Sequence, residues 1–170
     1  MTRTLLPVFL VSLALAGSAA AQEWKQYGPD GAGYRVEFPG QPVEDVSDVP
    51  TNIGQIRMRT SSLTVGDKMF MTITSSYPRE VSMGDPQKNL DGARNGSLQN
   101  TNGKLLREEQ ISVNSKPARH LLIDMPQDNL ADTILVLDDH QLLQAIYIGP
   151  RRIGEPPEAR RFLTSFTPVR

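Results

Sequence analysis

Cysteine is absent from the 170 residues, which excludes disulfides, thiol catalysis, thiolate metal sites and an acylated lipoprotein cysteine. Histidine is scarce: His120 falls in a predicted strand and His140 at a predicted turn, a separation that argues against a shared metal. There is no excess of positive charge, since the formal net charge is -1 and the pI near 6.1, which argues against a nucleic-acid partner because neutralising phosphates needs a basic excess. No apolar run reaches the roughly 20 residues a membrane-crossing helix requires. No glycine-rich phosphate loop follows a strand, and no repeat, linker or low-complexity stretch appears.

What is present begins with a targeting signal. Arg3 supplies a positive start, Leu5 to Leu15 an apolar stretch, and Ala19-Ala20-Ala21 a small-residue cleavage site before Gln22. Residues 1–21 are therefore expected to be a signal peptide and 22–170 a single mature domain without a membrane span. With no cysteine and no lipid attachment, the mature protein is expected to be soluble and periplasmic, or secreted. At 38% hydrophobic and 22% charged residues its composition is that of an ordinary globular domain, large enough to fold without covalent staples.

The stretch from Asp132 to Gly149 organises the rest. Ile134 to Leu137 and Leu142 to Ile148 are apolar on both faces, as in strands covered on both sides, and Asp138-Asp139-His140 supplies a turn between them. Upstream, Trp24 in the run from Glu23 to Tyr27 is expected at the edge of the core, before the turn cluster Gly28 to Gly31. Tyr34-Arg-Val-Glu-Phe38 alternates in period two and stops at Pro39-Gly40, the pattern of a half-buried strand. Pro42 to Pro50 is expected to be extended but irregular. Gln55 to Val65 and Lys68 to Tyr77 then form a long hairpin about Gly66-Asp67, with Ile56, Met58, Met69, Met71, Ile73 and Tyr77 at core spacing. Three thioethers could hold copper(I), but methionine at strand period fills core gaps more readily.

A helix is predicted from Pro86, capped by Asp85 and carrying Leu90, Ala93, Ser97, Leu98 and Thr101 on one face, with Gly103 as its left-handed cap. Asn95-Gly96-Ser97 matches a glycosylation sequon, which inside a helix of a bacterial exported protein is a coincidence. Strands over Lys104 to Val113 and Ala118 to Met125, joined at Asn114 to Pro117, lead into the central hairpin. A last helix starts at Pro156-Pro157, its apolar stripe Ala159, Phe162, Leu163 and Phe166. Consecutive strands with helices segregated to the faces define an α+β fold around a central antiparallel sheet.

The order Tyr34-x-Val-x-Phe-Pro-Gly-x-Pro42, Leu90-Asp-Gly-Ala-Arg94, Gly103-Lys-Leu-Leu106, Pro117-x-Arg119 and Phe162-Leu-x-Ser-Phe166 resembles bacterial PsbP-like domains across nearly the whole mature chain. These are similar in fold to the extrinsic PsbP subunit of photosystem II and to Ran-binding nuclear import factors, so the resemblance implies an α-β-α sandwich and a non-enzymatic binding or assembly module. Such relatives carry a glycine and an acid around the arginine where this chain has Ala118 and His120, so no functional residue transfers.

Several constellations remain. His120 with Asp124 and a serine would make a hydrolase triad, but no nucleophile elbow accompanies them. Asp124, Asp128, Asn129 and Asp132 offer oxygen ligands of the kind calcium takes, at a spacing that fits turn residues more simply. Arg151, Arg152, Arg160 and Arg161 flank the start of the last helix and are the candidate binding residues for an anionic group. The expectation is an exported, non-catalytic module that binds a cell-envelope protein or anionic envelope component, with no cofactor and no metal. A hydrolase using His120 and a carrier of small apolar ligands are the alternatives.

Overall fold

The computed structural model describes residues 23–151 and 155–169; the expected signal peptide and Arg152 lie outside them. The chain runs β1 (Lys25–Tyr27), β2 (Tyr34–Phe38), β3 (Val43–Thr51), β4 (Gly54–Val65), β5 (Lys68–Ser76), α1 (Pro86–Thr101), β6 (Lys104–Val113), β7 (Lys116–Met125), β8 (Asn129–Asp138), β9 (Gln141–Pro150), α2 (Pro157–Ser165) and β10 (Thr167–Pro168). A seven-stranded antiparallel sheet in the order β3-β4-β5-β9-β8-β7-β6 is accompanied by a small sheet β1-β2-β10. The α+β architecture expected from the strand and helix order is what forms.

Two apolar clusters flank the large sheet. On one face β2 and α2 bring Phe38, Phe162 and Phe166 onto Phe70, Val136, Leu143 and Tyr147. On the other, Leu90 of α1 packs on Leu121, Ile123, Leu135 and Leu137. Trp24 lies partly buried against the first cluster, its ring edge-on to Phe70 with centroids 5.7 Å apart.

The central hairpin is β8 and β9, paired from Asn129↔Pro150 to Asp138↔Gln141. β8 is buried on both faces over Ala131 to Leu137, as its apolar run predicts. β9 is not. Its residues alternate: Leu143, Ala145 and Tyr147 are buried, whereas Gln144, Ile146 and Ile148 stay partly exposed. The same split runs along β5, where Phe70, Thr72 and Thr74 enter the core and Met69, Met71 and Ile73, expected there, remain half-buried on the opposite face. Thr72 tolerates burial because its Oγ1 lies 2.6 Å from the Tyr34 hydroxyl, and Thr74 because its hydroxyl donates to the Ala32 carbonyl at 2.6 Å.

Two further expectations need correcting. Residues 43–51 are regular, pairing with β4 at every position from Val43↔Ser62 to Thr51↔Gly54. They form an edge strand exposed at all nine positions, so no buried face imposed period two on the sequence, and the valines at 43, 46 and 49 recur every third residue instead.

The helix α1 begins as predicted, the Asp85 carboxylate accepting from the Gln87 N–H at 2.9 Å with Pro86 at the first position. At its end the left-handed residue is Asn102, with φ 48°, and not Gly103. The Asn102 and Gly103 N–H groups donate to the Gln99 and Leu98 carbonyls at 3.2 and 3.0 Å, the paired bonds of a Schellman cap. Gly103 is required for room: a Cβ there would collide with the Ile123 side chain and come within 2.7 Å of Thr101 Oγ1.

Candidate functional site

His120 on β7 and Asp132 on β8 sit two rows apart on the α2 side of the sheet, since His120 pairs with Ile134 and Asp132 with Leu122. That diagonal brings His120 Nε2 to 2.6 Å from Asp132 Oδ1. The hydrogen bond to Asp132 raises the His120 pKa above its ordinary value and outweighs partial burial, which lowers it; Arg107 lowers it and Glu109 raises it more weakly from β6. The carboxylate partner is therefore Asp132 and not Asp124, which the four-residue spacing offered.

Because the folded-state pKa is raised, the bond contributes stability that is fully present below the unfolded histidine pKa of about 6.5 and is lost as pH rises through the higher folded value. The stability advantage of wild type over His120→Gln should accordingly shrink as pH rises above about 6.5. Urea melts on either side of that pH check it, and a gap that widens with pH would contradict the assignment.

Beside the pair, on the same face, lies a cleft of about 240 Å³ lined by Leu122, Leu130, Tyr147 and Pro156, with Arg107, Asp132 and Glu155 as its charged groups. It is a mixed-charge recess over an apolar floor. The other acids of the expected cluster are drawn elsewhere: Asp124 and Asp128 both ion-pair with Arg151, the latter at 3.2 Å. Among the described residues no three histidine, aspartate or glutamate side chains gather as a metal would need.

Of the arginines singled out in the sequence, the three among the described residues are held one by one. Arg151 bridges Asp124 and Asp128. Arg160 Nε donates to Glu155 at 2.9 Å, and Arg161 Nε donates to Glu37 at 2.6 Å while its guanidinium lies 4.7 Å above the Trp24 ring. Arg160 and Arg161 are exposed, turned from the sheet by the helical stripe that buries Ala159, Phe162 and Leu163.

A larger network escaped sequence reasoning. Arg119, whose side chain is 3% exposed, donates through Nε to Glu108 Oε1 at 3.0 Å, through Nη2 to Asp91 Oδ1 at 3.2 Å, and through Nη1 to Gln87. Arg94 donates to Glu108 at 2.9 Å and to Asp91 at 3.3 Å. These bonds fasten α1 to β6 and β7. Three of the residues, Asp91, Arg94 and Arg119, belong to the motifs quoted above for the family resemblance, and their spacing in the chain gives no sign that they meet. The methionine trio, in contrast, is dispersed: Met58 pairs with Ser75 and Met71 with Ser62, four positions along the same strands, too far apart to share an ion.

These elements define an α+β sandwich in which an antiparallel sheet carries helices on both faces. The chain resembles, over 92% of its length and 99% of the other, the solution structure of cyanobacterial PsbP (CyanoP) from Synechocystis sp. PCC 6803, with a TM-score of 0.55 at 11% sequence identity. The likeness establishes the PsbP-like fold alone. A crystal structure of a Pseudomonas aeruginosa protein of unknown function aligns over 75% of this chain and 83% of its own, at 12% identity and a TM-score of 0.38, too low to support any conclusion. No family model and no curated protein sequence matches. Among the described residues no helix is long and apolar enough to cross a membrane.

Proposed function

We propose that this chain is an exported module that binds a partner in the cell envelope and catalyses no reaction. The observation that carries this reading is how the charged groups of the interior are used. Arg119 is tied to Glu108 and Asp91 across α1, β6 and β7, and His120 bonds Asp132 with no serine or threonine hydroxyl as a further partner among the described residues, so the buried charges hold strands and helix together and the histidine lacks the nucleophile a triad needs. The PsbP-like fold adds an analogy and not a partner. Export rests on the segment from Arg3 to Ala21.

In this reading Arg151, Arg152, Arg160 and Arg161 serve an anionic envelope partner, whose charges would replace surface carboxylates such as Glu155 and Glu37. Exchange between exposed ion pairs is screened over about 8 Å at physiological salt, so this contact weakens as salt rises. Replacing all four arginines by glutamine should abolish co-purification of the partner from envelope extract, and because exposed pairs contribute about 0–1 kcal/mol each, the melting curve should move little. Undiminished capture by that variant removes the arginines from the reading.

A carrier of small apolar ligands is a second reading, favoured by the cleft floored by Leu122, Leu130 and Tyr147. Extraction of purified protein with organic solvent and mass spectrometry of the extract decides it: a stoichiometric small molecule supports a carrier, and a clean extract supports the binding module.

A further inference from the structure

The two faces of the seven-stranded sheet are covered unequally. Toward β2 and α2 the strands β5 and β9 bury Phe70, Thr72, Leu143 and Ala145, but on the other face α1 packs over β7 and β8 and leaves the remaining half-sheet open. There Met69, Met71, Ile73, Ile146 and Ile148 are partly exposed, Met58 continues the surface on β4, and Val43 and Val49 end it on β3 at 73% and 37% exposure. Four strands at about 4.8 Å spacing span roughly 14 Å, room beside α1 for one further helix at an interaxial distance of about 8–10 Å.

At one end the half-face deepens into a groove of about 440 Å³ between α1 and Ile53, Tyr77 and Leu142. Gly92 on the flank of α1 lines it, Gly96 follows one helical turn on, and at either an added Cβ would meet nothing within 4 Å. Each glycine inside a helix costs about 1 kcal/mol relative to alanine, and here the pair leaves the flank shallow.

We propose that this half-face is the docking surface for an amphipathic helix of the envelope partner. It rests on the binding-module reading and names the surface and the form the partner takes. The distribution of charge selects that occupant. Between its rims the half-face holds only apolar, hydroxyl and amide side chains; Asp45 on β3 bounds one side and Lys88 on α1 the other, and neither has an ion-pair partner among the described residues. A helix with one apolar stripe, a basic residue toward Asp45 and an acidic residue toward Lys88 matches it. At β5's nine residues, about 30 Å of strand accommodates roughly 20 helical residues.

A second copy of the chain fits poorly, because the outward side of α1 presents Asn95 and Gln99 and would lay polar groups on Met69, Met71 and Ile146. A flat lipid surface fits poorly too, since α1 stands above the half-face and holds a bilayer away. Methionine side chains, flexible and polarizable, adapt to an incoming helix.

The test places a photo-reactive benzoylphenylalanine at Met71, or at Leu106 on the far edge strand as a control, in the full mature chain. After irradiation in envelope extract of the expressing cells, the crosslinked peptides are sequenced. Met71 should capture a segment of another protein with apolar residues at i, i+3, i+4 and i+7. Gly92→Leu with Gly96→Leu, which fills the flank, should reduce that capture at least tenfold; Ile146→Gln on the strand should do the same if the helix variant melts early. The proposal is overturned by capture of a second copy, of lipid, or of a segment without helical period, by no capture at Met71, or by capture that both variants leave intact. Capture at Leu106 or through the arginines with none at Met71 rejects this surface and leaves the binding module standing. No capture from any position rejects both.

Discussion

Glu108→Ala should lower stability by about 3–5 kcal/mol, because it removes the main anion facing a buried arginine and leaves that charge without compensation. Arg119 is almost wholly enclosed, and of its two carboxylate partners Glu108 is the more buried and holds Arg94 more closely, at 2.9 Å against 3.3 Å from Asp91. Asp91, the remaining carboxylate, keeps 45% of its side chain in solvent and cannot neutralise Arg119 as well. For a domain of this length the loss corresponds to a fall in Tm on the order of 10 °C. The charge-free pair Glu108→Leu with Arg119→Met should recover most of it, since well-packed apolar replacements of a buried ion pair are often neutral. Thermal and urea melts of the single and double variants test this. A loss below about 1 kcal/mol for Glu108→Ala, the size expected of an exposed pair, would mean that Arg119 reaches water and that the network does not hold α1 to the sheet.

The fold was legible where one face of an element meets the core and the other meets water. β2 could be read from the alternation in Tyr34 to Phe38, and α2 from the stripe Ala159, Phe162 and Leu163, because both are buried on one side only. β3 could not, since an exposed edge strand imposes no pattern. β9 misled for the opposite reason: Ile146 and Ile148 are apolar while only partly covered, so an unbroken apolar run stood for one core face and one half-open face. That mismatch is itself the sequence trace of the half-face beside α1, along with Met69 and Met71.

The site was less legible because its contacts are long-range. His120 and Asp132 lie twelve positions apart and meet diagonally across two strands, a relation fixed by β7–β8 register, which the turn at Pro126 to Asp128 sets. The Glu108 network joins a helix to two strands, and only residues already facing each other in space reveal it. The Gly103 assignment went astray differently. A glycine after a helix signals a left-handed cap, but Asn102 takes that conformation, as asparagine does more readily than most residues, and Gly103 answers a packing demand from Ile123.

Phe162→Ala should cost about 3–5 kcal/mol, the range for truncating a fully buried aromatic side chain. Phe162 is 0% exposed, with its ring 5.1 Å from Phe38 and 5.4 Å from Phe70, both near edge-on, so one side chain joins β2, α2 and the large sheet. The helix has nine residues, fewer than the roughly 12–15 an isolated helix needs to persist in water, and depends on that anchor for its existence. Thr164→Ala, on the exposed side, should change stability by about 0.5 kcal/mol or less. The loss should also be local at first: amide exchange in α2 and β10 should accelerate before exchange in β8, which other side chains hold on both faces. Arg160 and Arg161 are presented by this helix, so the salt-sensitive capture proposed above should weaken together with it. Uniform acceleration of exchange through β8 would show instead that α2 does not unfold ahead of the core, and that Phe162 serves the whole domain without being the particular hold on the helix that carries the arginines.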